Sequence, residues 1–295
     1  MTDKLRVVAS YTTLPSRYEV LQQSLQSIKF QTHKVDAIYL SIPKISRRLN
    51  KSYPPLPDEI TKVCTVVYSD VDYGPLTKIY GALMSETYPD TIIISCDDDV
   101  LFEANHIEKL LEHYIKCPGT VICGTGALIG KGLLFISIVE NIAPFHNWKG
   151  TTGFEVPNEG RNVDLIFGAS GVLYTRGMFP SKESVHEELF NYALLDEAIF
   201  CNDDVLISGY LSKCDIERKV FLDIPPVKSL NGDDALSANK LLTINRLNKS
   251  IDKVKEYGFY TTMEHYGYNE TPAGRIFIAG ILFIIIIILC VYLVK

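Results

Sequence analysis

The chain has 295 residues, 47% of them hydrophobic and 22% charged, which is enough apolar material for one large domain or two small ones. Its formal net charge of −6 argues against a nucleic-acid-binding surface, which requires clustered Lys and Arg, but not against a small phosphate-bearing ligand. The 7 cysteines form no CxxC pair or Cys/His cluster, so we predict reduced thiols rather than disulfides or a zinc site.

The first part of the chain alternates short apolar runs with segments of helical periodicity. Strands are predicted at residues 5–10, 37–42, 63–68 and 91–95, and helices at residues 18–30, 76–86 and 106–115. Between the second and third strands, residues 43–57 are rich in Pro, Lys and Arg and are predicted to form an exposed excursion. This repetition predicts an α/β fold, in which a parallel sheet carries helices on both faces. Such sheets bind ligands beyond the carboxyl ends of their strands.

The second part of the chain is less regular. Short strands are predicted at residues 121–124 and 220–224, and helices at residues 187–195, 204–213 and 236–257. Residues 163–174 form an apolar segment that Gly168 and Gly171 interrupt. Residues 131–162 contain glycines, Pro144 and Pro157 with little periodicity, so we predict a long loop that serves as a functional lid.

The C-terminus carries an unbroken apolar run, residues 276–294, between Arg275 and Lys295. A run of about 19 apolar residues is long enough to cross a bilayer as a helix, and it has no polar stripe for a buried core helix. The first residues lack the apolar core of a signal peptide. We therefore predict a single-pass C-terminal anchor that leaves the preceding domain on the cytosolic side.

Three consecutive acids, Asp97, Asp98 and Asp99, follow the most apolar predicted strand. Three like charges side by side are costly unless a cation neutralises them, and carboxylate oxygens suit Mg²⁺ or Mn²⁺. An acidic, solvated turn or a helix N-cap is the alternative interpretation. The position at the carboxyl end of a buried strand favours the metal site.

Two further segments combine charge with a helix start. In Asp72-Tyr-Gly-Pro-Leu-Thr-Lys78, a Gly-Pro turn leads into a helix whose N-terminus can meet an anion, although Lys78 alone is compatible with an ordinary surface lysine. Asp203 and Asp204 open an apolar helix. Their pattern suits helix capping, and it also suits a general base beside a reacting hydroxyl group.

These segments, in this order, resemble the motifs of GT-A-fold glycosyltransferases, in particular the large inverting family with bacterial and viral members. Residues 97–99 resemble the DxD motif, residues 72–78 a D-x-G-P-x-x-K segment, residues 163–176 the Gly-rich acceptor-side segment, and residues 203–210 the acidic motif that supplies the base. The resemblance covers residues 5–224 and implies a Rossmann-like mixed sheet flanked by helices. It divides the chain into a catalytic domain at residues 1–260, a linker at 261–275 and the transmembrane helix.

The resemblance also implies roles for single residues. Asp204 would be the catalytic base, with Asp203 as the alternative, and Asp99 and Asp97 would hold Mn²⁺ or Mg²⁺. The donor, a nucleoside diphosphate sugar, would be bound by Thr12, Thr13, Arg17, Asp72, Lys78, Asp97 and Asp98. Gly168, Ser170 and Gly171 would lie on the acceptor side. His146 and His186 are candidates for a further metal ligand.

The acceptor would be a hydroxyl group of a glycan, lipid or protein at a membrane. The chain lacks the Q-x-x-R-W motif of processive polysaccharide synthases and has one predicted span, which favours single addition. One alternative is a nucleotidyltransferase of similar fold, although its usual Gly-rich loop is missing from Tyr11-Thr-Thr-Leu-Pro-Ser-Arg17. The other is a membrane-tethered adaptor that has lost activity.

Overall fold

The computed structural model describes residues 5–131, 137–141, 158–230 and 240–259. Its strands in chain order are β1 (Val7–Thr12), β2 (Ala37–Pro43), β3 (Ile45–Ser46), β4 (Lys51–Ser52), β5 (Thr65–Ser69), β6 (Ile92–Ser95), β7 (Val100–Leu101), β8 (Val121–Cys123), β9 (Gly126–Lys131), β10 (Ser137–Asn141), β11 (Arg161–Asn162), β12 (Leu165–Ile166), β13 (Val172–Thr175), β14 (Arg218–Val220) and β15 (Lys228–Ser229). Its α-helices are α1 (Tyr18–Lys29), α2 (Asp58–Thr61), α3 (Thr77–Ser85), α4 (His106–Lys116), α5 (Val185–Glu188), α6 (Glu197–Phe200), α7 (Asp203–Lys213) and α8 (Lys240–Glu256).

Within these residues, eight strands form one mixed sheet in the order β11–β14–β8–β13–β6–β1–β2–β5. The central strand β1 pairs in parallel with β2 and β6, and β2 pairs in parallel with β5. Strand β13 runs antiparallel to both of its neighbours, β6 and β8. The structure therefore confirms the predicted α/β fold with a mixed sheet flanked by helices.

Apolar side chains cover both faces of this sheet. In β6, Ile92 and Ile94 belong to one buried cluster and Ile93 to the other, because successive strand residues point to opposite faces. Helices α1 and α4 pack on the first face, and α3 and α7 on the second. Each fully buried apolar side chain contributes about 1.5–3 kcal/mol relative to exposure, so this strand, buried on both faces, is a stable base for the residues that follow it.

Three predicted elements differ from the observed ones. The strand predicted at residues 220–224 is instead β14, Arg218–Val220, because these are the residues that pair with β8. Part of the predicted loop at residues 131–162 is strand, because β10 pairs antiparallel with β9 along its whole length. The predicted helix at residues 187–195 is broken into α5 and a 3-10 turn, Phe190–Leu194. The break is at Leu189, whose φ of −135° and ψ of −63° are not helical.

Residues 132–136 and 142–157 of the predicted lid lie outside the described residues, together with the linker at 261–275 and the apolar run at 276–294. In the part of the chain that the structure describes, no helix combines the length and the apolar character needed to span a membrane.

Candidate active site

The candidate site lies where the order of strands along the sheet reverses. The chain runs from β1 outward to β2 and β5, and then returns to β6 on the other side of β1. Beyond the paired ends Ser10 and Ser95, Thr13 follows β1 and Asp97 follows β6. The carboxyl ends of two such strands form a crevice, which is where open α/β sheets bind ligands.

The reversed direction of β13 brings a third segment to the same edge. Val172, at the start of β13, is paired with Ser95, at the end of β6. The residues that precede β13, Gly168–Ser170, consequently lie beside the residues that follow β6. A parallel strand would have placed this glycine-containing segment at the far edge of the sheet.

Asp98 is the most buried of the three consecutive acids. Its Oδ2 accepts a hydrogen bond of 2.6 Å from Oγ1 of Thr13, and its Oδ1 accepts one of 2.8 Å from Nη1 of Arg17. Burial raises the pKa of the Asp98 carboxyl to about 6, although Arg17 and Thr13 act in the opposite direction. Asp98 therefore anchors Thr13 and Arg17 to the loop after β6.

Asp99 shares the same arginine. Nη1 of Arg17 lies 3.3 Å from Oδ2 of Asp99, a longer contact than the one to Asp98. The side chains of Asp97 and Asp99 are 27% and 19% exposed, against 7% for Asp98. The first and third acids of the triplet therefore face the crevice, while the middle one faces the protein.

Lys78 lies buried beneath the crevice rather than on the surface of α3. Oγ of Ser10 on β1 donates a hydrogen bond of 2.5 Å to the carbonyl oxygen of Lys78, which holds the first turn of α3 against the sheet. The ammonium lies 2.5 Å from Oδ1 of Asp97 and 3.0 Å from Oδ2 of Asp203. The contact to Asp203 is an ion pair without the direction of a hydrogen bond.

The charges around Lys78 outweigh the effect of its burial. Burial alone lowers the pKa of this ammonium, but the carboxylates of Asp203, Asp97 and Asp204 hold the pKa well above its usual value. Lys78 thus stays charged and joins the acid that follows β6 to the acids that open α7. Sequence reasoning identified Lys78, but it assigned the side chain to a bound anion rather than to these carboxylates.

Asp204 receives its orientation from the segment before β13. Its Oδ1 accepts a hydrogen bond of 2.9 Å from the backbone N–H of Gly168. A methyl group on Gly168 would lie 2.8 Å from this oxygen and 3.1 Å from the Lys78 ammonium, so only glycine fits without displacing one of them. Burial and the neighbouring Asp203 raise the pKa of Asp204 well above its usual value, and Lys78 offsets only part of this increase.

Other predicted site residues make contacts within the protein. Oγ1 of Thr12 donates to the carbonyl of Ser41 at 2.9 Å. Asp72 accepts from the backbone N–H groups of Arg47 and Gly74 at 2.7 and 2.8 Å. Asp72 therefore holds the turn before α3. Gly74 adopts a φ of +64°, and a methyl group there would lie 2.3 Å from the carbonyl oxygen of Phe200.

The acceptor-side residues Ser170 and Gly171 do not reach the carboxylates. The Ser170 hydroxyl accepts from Thr125 at 2.7 Å and donates to the carbonyl of Phe167 at 3.2 Å. A methyl group on Gly171, which has a φ of +73°, would meet Phe102 and His106 instead. Of the three predicted acceptor-side residues, Gly168 is the one that contacts the acid cluster.

Of the two candidate histidines for a further metal ligand, His186 does not join this cluster either. Nδ1 of His186 lies 3.0 Å from the Tyr73 hydroxyl, in a group of rings that includes Phe190. His146 lies outside the described residues. Sequence reasoning also missed Tyr53, in the predicted exposed excursion, whose hydroxyl donates to the carbonyl of Thr13 at 2.9 Å.

Asp97 and Asp99, the two acids that face the crevice, are the candidate ligands for a divalent cation. Among the described residues, no group of three or more His, Cys, Asp or Glu side chains surrounds one point. Mg²⁺, however, is commonly held by one or two carboxylates together with waters and substrate phosphates, a requirement that Asp97 and Asp99 meet. The cluster holds five carboxyl groups and two cations, Lys78 and Arg17, and the two carboxyl groups that face the crevice are those of Asp97 and Asp99. This donor set fits Mg²⁺ or Mn²⁺.

No protein-family model matches the chain, and no curated protein matches it.

Proposed function

We propose that this chain is a metal-dependent, inverting and non-processive glycosyltransferase of the GT-A fold. It transfers a sugar from a nucleoside diphosphate sugar to a hydroxyl group of a glycan, lipid or protein at a membrane. The observation that carries the proposal is the position of Lys78, which joins Asp97 to Asp203 at the carboxyl ends of β1 and β6. Acid motifs that are far apart in the sequence thus form one site, in the place where open α/β sheets bind ligands.

In this mechanism, Thr13 and Arg17 line the donor pocket, and Asp97 and Asp99 would hold the ion. A divalent ion supplies Lewis-acid stabilisation of the charge on the departing diphosphate. The side chain of Arg17 adds positive charge at the same edge, next to Asp98 and Asp99. Because Lys78 is buried among carboxylates, its role is to position Asp97, Asp203 and Asp204 rather than to bind phosphate.

Asp204 is the better placed of the two candidate bases. Asp203 is paired with Lys78, whereas Asp204 is oriented by the N–H of Gly168. A carboxylate with a raised pKa is a stronger base than an ordinary one. Asp204 accepts the proton of the acceptor hydroxyl group as the hydroxyl oxygen forms a bond to the anomeric carbon of the sugar. The bond from that carbon to the diphosphate breaks, and the diphosphate leaves with the bonding electrons. Attack opposite to the leaving group inverts the configuration.

Thermal unfolding of the full-length chain in detergent tests the donor site. We would compare UDP-, GDP-, CMP- and dTDP-sugars, each with and without Mn²⁺. A ligand at about 100 times its dissociation constant adds about 2.7 kcal/mol to the stability of the folded state. We expect one class of nucleotide sugar to raise the unfolding temperature in a Mn²⁺-dependent manner, with no effect in Asp99→Asn.

The control for that variant is Asp58→Asn, which removes an exposed acid paired with Lys62 away from the site. It should respond as the wild-type protein does. If no nucleotide sugar stabilises the folded chain, the transferase proposal is wrong and an inactive adaptor is the better interpretation. Release of pyrophosphate instead of a nucleoside diphosphate would identify a nucleotidyltransferase.

A further inference from the structure

Arg17 lies at the point where α1 begins and contacts two acids of the triplet. It is the residue before α1, and its Nη1 atom donates to Asp98 at 2.8 Å and to Asp99 at 3.3 Å. Its side chain is 11% exposed, so the guanidinium is largely enclosed at the edge of the crevice. In this arrangement a protein cation neutralises the acid that would hold a divalent ion.

The two contacts of Arg17 are not equivalent. Asp98 is buried, and the Thr13 hydroxyl also binds it at 2.6 Å, so this carboxylate is fixed from two sides. Asp99 is more exposed and its contact with Arg17 is longer. The contact with Asp98 is therefore the anchor of the arginine, and the contact with Asp99 is the one that a ligand can replace.

We propose that Arg17 neutralises Asp99 in the absence of ligands and that a divalent ion replaces Arg17 beside Asp99. The guanidinium of Arg17 then binds the diphosphate instead. This inference rests on the proposed function and adds an order to it, since the ion binds tightly only together with the diphosphate. An ion alone would place two positive charges beside the guanidinium. A diphosphate between them removes that repulsion, and a guanidinium binds phosphate oxygens well because its planar fork can donate two parallel hydrogen bonds.

Arg17 should therefore affect the affinities for the two ligands in opposite directions. Removing the positive charge of Arg17 should strengthen the binding of the ion alone and weaken the binding of the diphosphate. Coupling between two sites amounts to about 5-fold to 150-fold in affinity, and it is reciprocal. A residue that merely supports the fold would weaken both ligands together.

The experiment uses the full-length chain in detergent, with Mn²⁺ binding followed by the electron paramagnetic resonance signal of the free ion. Titrations with UDP, GDP, CDP and dTDP in saturating Mn²⁺ measure nucleotide affinity by calorimetry. We expect Arg17→Gln to bind Mn²⁺ alone at least about fivefold more tightly than the wild-type protein, and the preferred nucleotide at least about fivefold more weakly. Arg17→Lys, which keeps the charge, should bind Mn²⁺ alone as the wild-type protein does.

Arg6→Gln is the matched control. Arg6 makes a double hydrogen bond to Glu86 at 2.8 and 2.9 Å, just before β1 and therefore at the opposite end of the strand from Arg17. This variant should bind Mn²⁺ and the nucleotide like the wild-type protein. Unchanged or weakened Mn²⁺ binding in Arg17→Gln would overturn the inference.

The wild-type protein gives an independent measurement in case Arg17→Gln does not fold. Its Mn²⁺ affinity should rise at least about fivefold when the preferred nucleotide is present, and an equal affinity in both conditions would contradict the inference. The proposed function fails separately, if the wild-type protein binds neither Mn²⁺ nor any of the nucleotides. If the wild-type protein binds both ligands but Arg17→Gln does not change the two affinities in opposite directions, the glycosyltransferase proposal stands and the proposed role of Arg17 is wrong.

Discussion

The backbone N–H of Gly168 donates a hydrogen bond of 2.9 Å to Oδ1 of Asp204, and the glycine has no side chain to separate that carboxylate from Lys78. The hydrogen bond fixes one oxygen of the candidate base, while the other oxygen is not engaged by it. Because Gly168 lies just before the reversed strand β13, the direction of that strand determines where the base points.

Gly168→Ala should reduce sugar transfer at least about 100-fold, because a misplacement of about 1 Å at a reacting group has an effect of this size. The methyl group would lie 2.8 Å from Oδ1 of Asp204 and would have to displace it. Initial rates of transfer measure the effect on activity, and the urea midpoint of unfolding measures the effect on stability separately.

The control for this variant is Gly177→Ala, at the other end of β13. There a methyl group would lie 3.2 Å from Pro89, a milder contact than the one at Gly168 and away from the acids. We expect a smaller loss of stability in Gly177→Ala and near-normal transfer. Equal activity of the two variants would show that the orientation of Asp204 does not matter.

Asp204→Asn and Asp203→Asn should have different effects on transfer. Loss of the base lowers the rate by about 10²–10⁴-fold at every pH, so Asp204→Asn should be nearly inactive. The charge of Asp203 contributes to the raised pKa of Asp204, so its removal lowers that pKa. Asp203→Asn should therefore stay active and reach full activity at a lower pH than the wild-type protein.

The pH profiles of transfer for the wild-type protein and both variants check this assignment. The rate should rise with pH through the pKa of Asp204, because the base acts in its ionised form. If Asp203→Asn is the inactive variant and Asp204→Asn retains the wild-type profile, the two roles are reversed.

Gly74→Ala should destabilise the protein by about 3 kcal/mol or more, through backbone strain and overpacking together. The φ of Gly74 is +64°, and the added methyl group would lie 2.3 Å from a backbone oxygen of Phe200. Gly119→Ala is the matched variant, since Gly119 has a φ of +82° but no atom within 4 Å of an added methyl group. It should lose only about 1 kcal/mol, the contribution of the strain alone. Equilibrium unfolding in urea measures both, and equal losses would contradict the contact with Phe200.

The elements that position the site could be predicted from the sequence because their signals are local. Strand β6 is a short apolar run, and α1 buries Leu21, Leu25 and Ile28 at helical spacing. The carboxyl-end position of Asp97 follows from the alternation of strands and helices alone. The fold class and the location of the acids therefore did not require any information about long-range contacts.

The partners of individual side chains could not be predicted in the same way. The first turn of α3 shows where Lys78 is, but its direction depends on α7, which follows much later in the chain. The triplet of acids does not reveal that Asp98 faces Thr13 and Arg17 while its neighbours face the crevice. The reversed direction of β13 is likewise a property of the sheet, not of its own four residues.

His106 should make the protein sensitive to acid. Burial lowers its pKa from 6.5 to about 4, and its ring nitrogens make no hydrogen bonds, although the carbonyls of Ser170 and Pro225 lie nearby. Below pH 6.5 the unfolded chain binds a proton that the folded protein does not, so stability is lost as pH falls from 6.5 toward 4. The full effect is on the order of 3 kcal/mol.

His106→Leu should remove this dependence. At neutral pH the variant should differ from the wild-type protein by less than about 1.5 kcal/mol, because the two side chains are similar in size and no hydrogen bond is lost. Urea midpoints at pH 7.5 and pH 5 measure the slope, and the contribution of Asp98 cancels because both proteins contain it. Parallel losses of stability in the two proteins would exclude His106 as the source.

The contact between Gly74 and the carbonyl of Phe200 restricts how the protein can be re-engineered. The turn that leads to Lys78 and the helix that leads to Asp203 have no space between them. Replacing residues 190–213 with the equivalent segment of a different protein would therefore also require replacing the turn at residues 72–78. A chimera that takes only one of these two segments from another protein would pack them poorly against each other at the centre of the site. Residues 72–78 and 190–213 should therefore be exchanged together.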